Sequence, residues 1–104
     1  MKKIAAQLVI VICNYDYVDD VMEVAKKVGA RGGTIVHGRG TMTKETTKFF
    51  GITIQPEKGL LMILADDEHQ EKIMKAINEE KGLTTEAHAI SFCLPVEDYR
   101  GFKL

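Results

Sequence analysis

The side chains best suited to metal binding or nucleophilic catalysis are three histidines, His37, His69 and His88, and two cysteines, Cys13 and Cys93. Their spacing contains no HxH, HxxxH or CxxC pair, so the sequence predicts no metal centre. We expect His69 to be a solvated helix residue. His37 and His88 fall at predicted strand ends, where either can meet a ligand or make a structural hydrogen bond. Both cysteines lie in apolar runs and are predicted to be buried, reduced thiols.

Acidic residues and nucleophiles do not combine into a catalytic pattern. The pairs Asp19-Asp20 and Asp66-Asp67 precede or begin predicted helices, where capping accounts for them. The chain contains no nucleophile elbow and no Walker A sequence. The sequence therefore predicts a protein that is not an enzyme.

The stretch GARGGTIVHGRG, residues 29–40, places five glycines and two arginines around one short strand. We expect Gly29 to stop a helix and Gly32-Gly33 to form a turn. Backbone amides at Gly38 and Gly40, with the forked donor of Arg39, would suit an anion such as phosphate. A hairpin-like exit from the strand is the simpler alternative.

Hydrophobic periodicity predicts the order strand, helix, strand, strand, helix, strand. We expect Asn14 or Asp16 to cap the first helix, and Asp67 with Gln70 to form a capping box for the second. Pro95 should begin a short tail. The predicted strands are 4–13, 33–37, 60–65 and 87–94. The first predicted helix begins after residues 14–16, and the second begins after residue 67.

This order predicts an α+β, ferredoxin-like (βαββαβ) antiparallel sheet with two helices on one face and a long loop after the second strand. The other face should then be polar, yet the strands show no clear polar face. Self-association would cover it. The apolar strand residues that raise this question are Val9, Val11, Leu61, Ile63, Phe92 and Leu94.

Composition favours one globular domain, residues 1–104, with 45% hydrophobic and 28% charged residues. A net charge of −1 and the lack of basic runs argue against nucleic acid as a partner. No segment reaches the length of a membrane span, and the apolar start lacks a convincing cleavage site. We therefore expect a cytoplasmic protein without membrane insertion.

Several stretches in chain order resemble the nitrogen-regulatory P-II signalling proteins and their shorter P-II-like relatives. They are the opening MKKI, then VAKKVGARGGTIVHGRG, GLLMILADDEHQEKIMKAI and ISFCLPVEDY. The resemblance implies a homotrimer of ferredoxin-like subunits, whose packing would cover the second sheet face. It also implies ATP, ADP or AMP between subunits and a flexible T-loop, about residues 38–58, that contacts a target protein.

Carried onto this sequence, the resemblance and the glycine-rich stretch give two sets of expected site residues. Those expected at the ligand are Thr34, His37, Gly38, Arg39, Gly40, His88 and Arg100. Those expected at the partner protein are Thr41, Met42, Lys44, Glu45 and Lys48.

The sequence also departs from typical P-II proteins. Only Gly82 precedes the last strand, where those proteins carry several glycines and a lysine. The predicted loop has no tyrosine for uridylylation. The leading interpretation is a non-enzymatic sensor in which a small anionic effector changes the order of the loop. Binding of 2-oxoglutarate or of a metal ion stays open at this point. The alternative is a trimeric metal-tolerance-like or structural module of the same topology without a nucleotide.

Overall fold

A computed structural model of the protein describes residues 5–41, 47–49, 52–54 and 56–104. The elements in chain order are β1 (Ala6–Asn14), a 3₁₀ turn (Tyr15–Tyr17), α1 (Val18–Lys27), β2 (Thr34–Arg39), β3 (Thr47–Phe49), β4 (Ile52–Ile54), β5 (Glu57–Asp66), α2 (Asp67–Lys81) and β6 (Ile90–Val96). A four-stranded antiparallel sheet has the strand order β2-β5-β1-β6, and β3 pairs with β4 in a separate two-stranded sheet. The predicted α+β, ferredoxin-like fold is confirmed.

Both helices pack on one face of the large sheet, because side chains alternate along β1 and β5. Val9 and Val11 on β1 face the helices together with Leu61 and Ile63 on β5, and all four are fully buried. The helices add further side chains to this core, including the fully buried Val21 of α1 and Ile73 and Ile77 of α2.

The opposite sheet face is apolar, and none of the described elements covers it; we call it the open face. Ile90, Phe92 and Leu94 on β6 lie there with side chains 43–49% exposed. Their β1 partners Ile12, Ile10 and Leu8 continue the same surface. The expectation of an uncovered apolar face is thus right for Phe92 and Leu94. It is wrong for Val9, Val11, Leu61 and Ile63, which the helices cover.

Several predicted element boundaries are wrong. The strands predicted at 4–13, 33–37 and 60–65 run over Ala6–Asn14, Thr34–Arg39 and Glu57–Asp66. Asn14 and Asp16 do not cap α1, because the 3₁₀ turn intervenes and the helix begins without a side-chain cap. The cap of α2 is Asp66, whose Oδ1 accepts from the His69 amide at 2.7 Å, so Asp67 is the first helical residue. The last strand begins later than predicted and contains Pro95, which is tolerated because β6 is an edge strand.

The glycines before β2 have different roles. Gly29 follows the end of α1 with φ +112°, and a Cβ there would lie 2.3 Å from the His69 ring, so its predicted role as a helix stop is confirmed. The connection through Gly32 and Gly33 forms no turn. Gly33 instead approaches β5 closely, since a Cβ would lie 3.0 Å from the Met62 oxygen.

Cys13 and Cys93 are both free, as predicted. Cys93 lies opposite Val9, four residues from Cys13 along β1, which places the two about 13 Å apart. A disulfide tolerates only about 7 Å between Cα atoms. Cys13 is buried, and this burial raises the pKa of its thiol. Cys93 is only half-buried, so the prediction of burial is wrong for this residue.

The segment predicted as a long loop, about 38–58, contains the β3–β4 pairing, in which Lys48 lies opposite Thr53. Its two ends are also strand, since Gly38 and Arg39 belong to β2 and Glu57 and Lys58 to β5, so the loop prediction is wrong for these parts of the segment. Met42, Lys44 and Glu45, three of the residues expected to contact a partner, lie outside the described residues.

Candidate functional site

A cleft of about 890 Å³ lies at one end of the open face. Two rows of residues across the sheet form its floor. The first row is apolar and runs from Ile90 through Ile12 to Leu60. The second row is polar and runs from Asn14 through Lys58 to Gly38. The full lining is Ile12, Asn14, Gly38, Arg39, Gly40, Thr41, Pro56, Lys58, Leu60, Leu83, His88 and Ile90.

Lys58 is the central cation of the polar row. Its Nζ donates to Asn14 Oδ1 at 2.9 Å. On its other side, Gly38 presents no side chain, and a Cβ added there would meet only the Lys58 carbonyl oxygen at 3.9 Å. Gly38 therefore keeps the space beside the lysine open. None of the described residues that line the cleft is acidic, so it carries positive charge from Lys58 and Arg39.

The connection between α2 and β6, residues 82–89, forms one wall of the cleft and is fixed to the end of β1. The Asn14 amide donates to the Ala87 oxygen at 2.8 Å, and Asn14 Nδ2 donates to the Glu86 oxygen at 2.7 Å. The Tyr17 hydroxyl donates to the Glu86 carboxylate, a hydrogen bond that raises the pKa of Tyr17. Asn14 therefore links this wall directly to Lys58.

His88 on this wall has a constrained backbone, with φ +48°, which is uncommon for a residue with a side chain. Its Nδ1 lies 2.8 Å from the Leu83 carbonyl oxygen. Because a carbonyl oxygen only accepts, Nδ1 must carry the proton, and Nε2 is the acceptor of the neutral ring. His88 can therefore accept a hydrogen bond from a ligand in the cleft.

The end of β2 and the two residues after it supply Gly38, Arg39, Gly40 and Thr41 to the cleft. Together with His88, these are five of the site residues predicted from the sequence. One part of that prediction is wrong: the Gly40 amide is not free, because it donates to the Pro56 oxygen at 2.7 Å. An anion here would be met by side chains such as Lys58 and Arg39, and not by that amide.

His37 lies outside the cleft, on the face of β2 opposite to that of Gly38. Its ring stacks on Tyr15 with centroids 3.9 Å apart and planes at 21°. Its Nε2 lies 3.4 Å from Glu57 Oε1. A second, open cavity of about 420 Å³ is lined here by His37, Gly38, Arg39 and Glu57. The structure thus separates His37 from His88.

Thr34 and Arg100 also lie away from the cleft lining. Thr34 begins β2 opposite Met62. Arg100 is an exposed tail residue whose Nη2 lies 3.5 Å from Asp98 Oδ2. His69 lies in α2 with its side chain 40% exposed, as expected of a solvated helix residue. Its ring is also engaged, because Nδ1 lies 2.9 Å from both oxygens of Asp66.

Sequence reasoning missed Asn14 and Lys58 as cleft residues. The alternation of side chains along a strand could have identified both residues. Asn14 continues the open-face series Leu8, Ile10 and Ile12, and Lys58 precedes Leu60 on the same face of β5. The same alternation separates His37 from Gly38, which the single motif HGRG does not reveal.

Within the described part of the chain, no three His, Cys, Asp or Glu side chains come together as a metal-binding group. The helices described are also too short or too polar for any of them to cross a membrane.

Comparison with known proteins gives a family and a fold. The family model described as "Nitrogen regulatory protein P-II" matches residues 6–102. No curated protein is significantly similar to the chain in sequence. A crystal structure from Thermus thermophilus, described as a PII-like signaling protein, superposes with a TM-score of 0.69 at 20% identity, covering 92% of this chain and 90% of that one.

A Bacillus cereus protein related to NIF3 superposes with the same TM-score, 0.69, at 14% identity. The match covers 94% of this chain but only 27% of that one. At these identities both likenesses concern the fold alone.

Proposed function

Since the chain belongs to the nitrogen regulatory protein P-II family, we propose that it is a regulator that binds an adenine nucleotide or a similar small anion in the cleft. Proteins of this family are generally regulatory and not enzymes, and they bind small effectors and target proteins, generally as trimers. We further propose that this chain works as a cytoplasmic homotrimer in signal transduction and controls its partner through residues 38–58.

The observation that carries the proposal is the pairing of two chemically different rows in one cleft. The row Ile90, Ile12 and Leu60 offers an apolar surface for a planar base. The adjacent row offers Lys58, and Arg39 also lines the cleft, so the two cations could bind phosphate groups. A volume of about 890 Å³ is within the range of small-molecule sites.

The cleft also touches both ends of the segment that we propose as the partner-binding loop. Gly38, Arg39, Gly40 and Thr41 lie where the segment begins, and Pro56 and Lys58 lie where it returns. A ligand changes a conformational equilibrium only if it contacts the two states differently. A ligand that binds Arg39 and Lys58 together would favour the conformations in which these two ends stay close.

The open face supports the trimer. Leaving several large aliphatic and aromatic side chains in water forfeits about 1.5–3 kcal/mol each relative to burial. The cleft lies at one end of this face, so a neighbouring subunit seated on it would add a further wall to the cleft. Leu83, 64% exposed at the cleft, is an apolar side chain that such a wall would cover.

The proposal is tested by calorimetric titration of the protein with ATP, ADP, AMP and 2-oxoglutarate, with and without magnesium. We expect binding of at least one nucleotide, and a loss of affinity of about tenfold or more in Arg39→Ala and in Lys58→Met, because each change removes a charge-assisted contact. Lys75→Met, which changes the same charge on α2, is the matched control and should bind like the parent.

Two results would overturn the proposal. One is the absence of heat with every nucleotide together with binding of a divalent metal, which would favour the structural or metal-tolerance-like module. The other is nucleotide binding of unchanged affinity in both Arg39→Ala and Lys58→Met, which would place the ligand elsewhere.

A further inference from the structure

His37 takes part in a contact of three side chains at one end of the sheet. This contact reaches across β5. β5 lies between β2, which carries His37, and β1, which leads into Tyr15. β2 and β1 are about 10 Å apart across β5. The register places His37 and Cys13 opposite the same β5 residue, Gly59, and the rings of His37 and Tyr15 stack with their centroids 3.9 Å apart.

Glu57 completes this contact from β5, two residues before Gly59. It is the diagonal neighbour of His37, and its carboxylate lies at ion-pair distance, 3.4 Å, from the imidazole. We call Tyr15, His37 and Glu57 the clasp. His37 is the last residue before the proposed loop and Glu57 lies at its return, so the clasp joins the two strands at the root of that segment.

We propose that the clasp is a proton-sensitive lock on the root of the loop, which tightens when His37 takes up a proton. The protonated ring is a cation that attracts the Glu57 carboxylate and the electron-rich face of Tyr15, whereas the neutral ring keeps only the stacking and a weaker polar contact. This inference does not depend on the nature of the effector.

The surrounding charges act in both directions. Glu57 on β5 places a negative charge beside the ring, and Arg39, two positions further along β2, places a positive charge at the same cavity. From the 3₁₀ turn, Tyr15 supplies the stacking ring and Asp16 follows it as a further negative charge. The His37 and Glu57 side chains are 49% and 65% exposed, so the lock is expected to be modest in strength.

The Gly40 amide provides a direct measurement, because its hydrogen bond to the Pro56 oxygen is the next pair beyond the clasp. Hydrogen exchange of this amide is measured by NMR at about pH 5.5 and about pH 7.5. The rate is expressed as a protection factor, which removes the pH dependence of the intrinsic exchange rate. We expect protection to be about two- to fivefold greater at the lower pH, with the amides of α1 as the internal reference.

Glu57→Gln removes the charge and keeps the size of the side chain, so the pH difference at Gly40 should shrink to the part that Tyr15 contributes. Tyr15→Leu should reduce it, and Glu79→Gln on α2 should leave it intact. Equal protection at the two pH values in the parent protein would overturn the proposal, as would an unchanged pH difference in Glu57→Gln. Nucleotide binding is not used in this test, so its result is separate from that of the proposed function.

Discussion

The two faces of the large sheet are built from alternate residues of the same strands, yet they have different fates. On the helix side of β5, Leu61 and Ile63 are fully buried within this one chain. On the open side, Leu64 remains 37% exposed. Alternation makes both faces apolar, but only one has helices to cover it. The difference shows that the first face serves the stability of the subunit, whereas the second is available for association and for the cleft.

The sharpest test of this comparison uses two leucines three residues apart. Leu61→Ala should lower the free energy of unfolding by about 2–5 kcal/mol, because it opens a cavity in the core. Leu64→Ala should cost much less in a monomeric state, since its side chain is already partly in water. Urea unfolding followed by circular dichroism measures both. Equal losses would contradict the assignment of the two faces.

Association should depend on the open face alone. Light scattering of the parent protein at micromolar concentration should give about three times the mass of one chain, the mass of a trimer. Phe92→Asp places a charge on this face and removes contacts of about 1.5–3 kcal/mol, so it should release monomers that keep the helical spectrum. A parent protein that is monomeric would refute the proposed trimer.

Two glycines of the sheet sharpen the comparison further. At Gly59, on the helix side, a Cβ would lie 2.7 Å from Val18 Cβ, so Gly59→Ala should destabilise the fold by about 1–3 kcal/mol. At Gly38, on the cleft side, the space is open, so Gly38→Val should keep the fold and weaken nucleotide binding. Melting temperature and calorimetric affinity distinguish them. A Gly38→Val protein with unchanged affinity would exclude close approach of the ligand.

The smallest expected effect concerns the start of α2, on the helix side. The hydrogen bond from the His69 amide, followed by that from its ring, lowers the pKa of Asp66. Because the folded-state pKa lies below the unfolded one, the stabilisation is present above the unfolded value and is lost as the pH falls through the folded value. Asp66→Ala should cost about 0.5–2 kcal/mol near neutrality.

The pH dependence supplies the control for that substitution. The difference between parent and Asp66→Ala in urea midpoint should shrink between about pH 7 and about pH 3 as the carboxylate is protonated. A difference that stays constant over this range would assign the effect to packing and not to the charge at the helix start.

Much of the fold could be predicted because it follows from local rules. The order of elements is set by apolar periodicity, and the end of α1 is set by Gly29, whose φ of +112° favours glycine. The predicted cap of α2 is wrong by one residue, since Asp66 and Asp67 are equally good caps in sequence and only the geometry selects Asp66. The predicted end of the last strand at Pro95 is wrong because the place of this proline at a sheet edge is not a local property.

The sequence by itself determined the βαββαβ fold, the excess of apolar strand surface and the glycine-rich approach to the cleft, since each depends on residues close together in the chain. Only the tertiary structure decided which residues share a site. Lys58 meets Asn14 and Gly38 because β5 lies between β1 and β2, and His37 stacks on Tyr15 across that same strand. Such contacts depend on strand order and register, which join residues far apart in the chain.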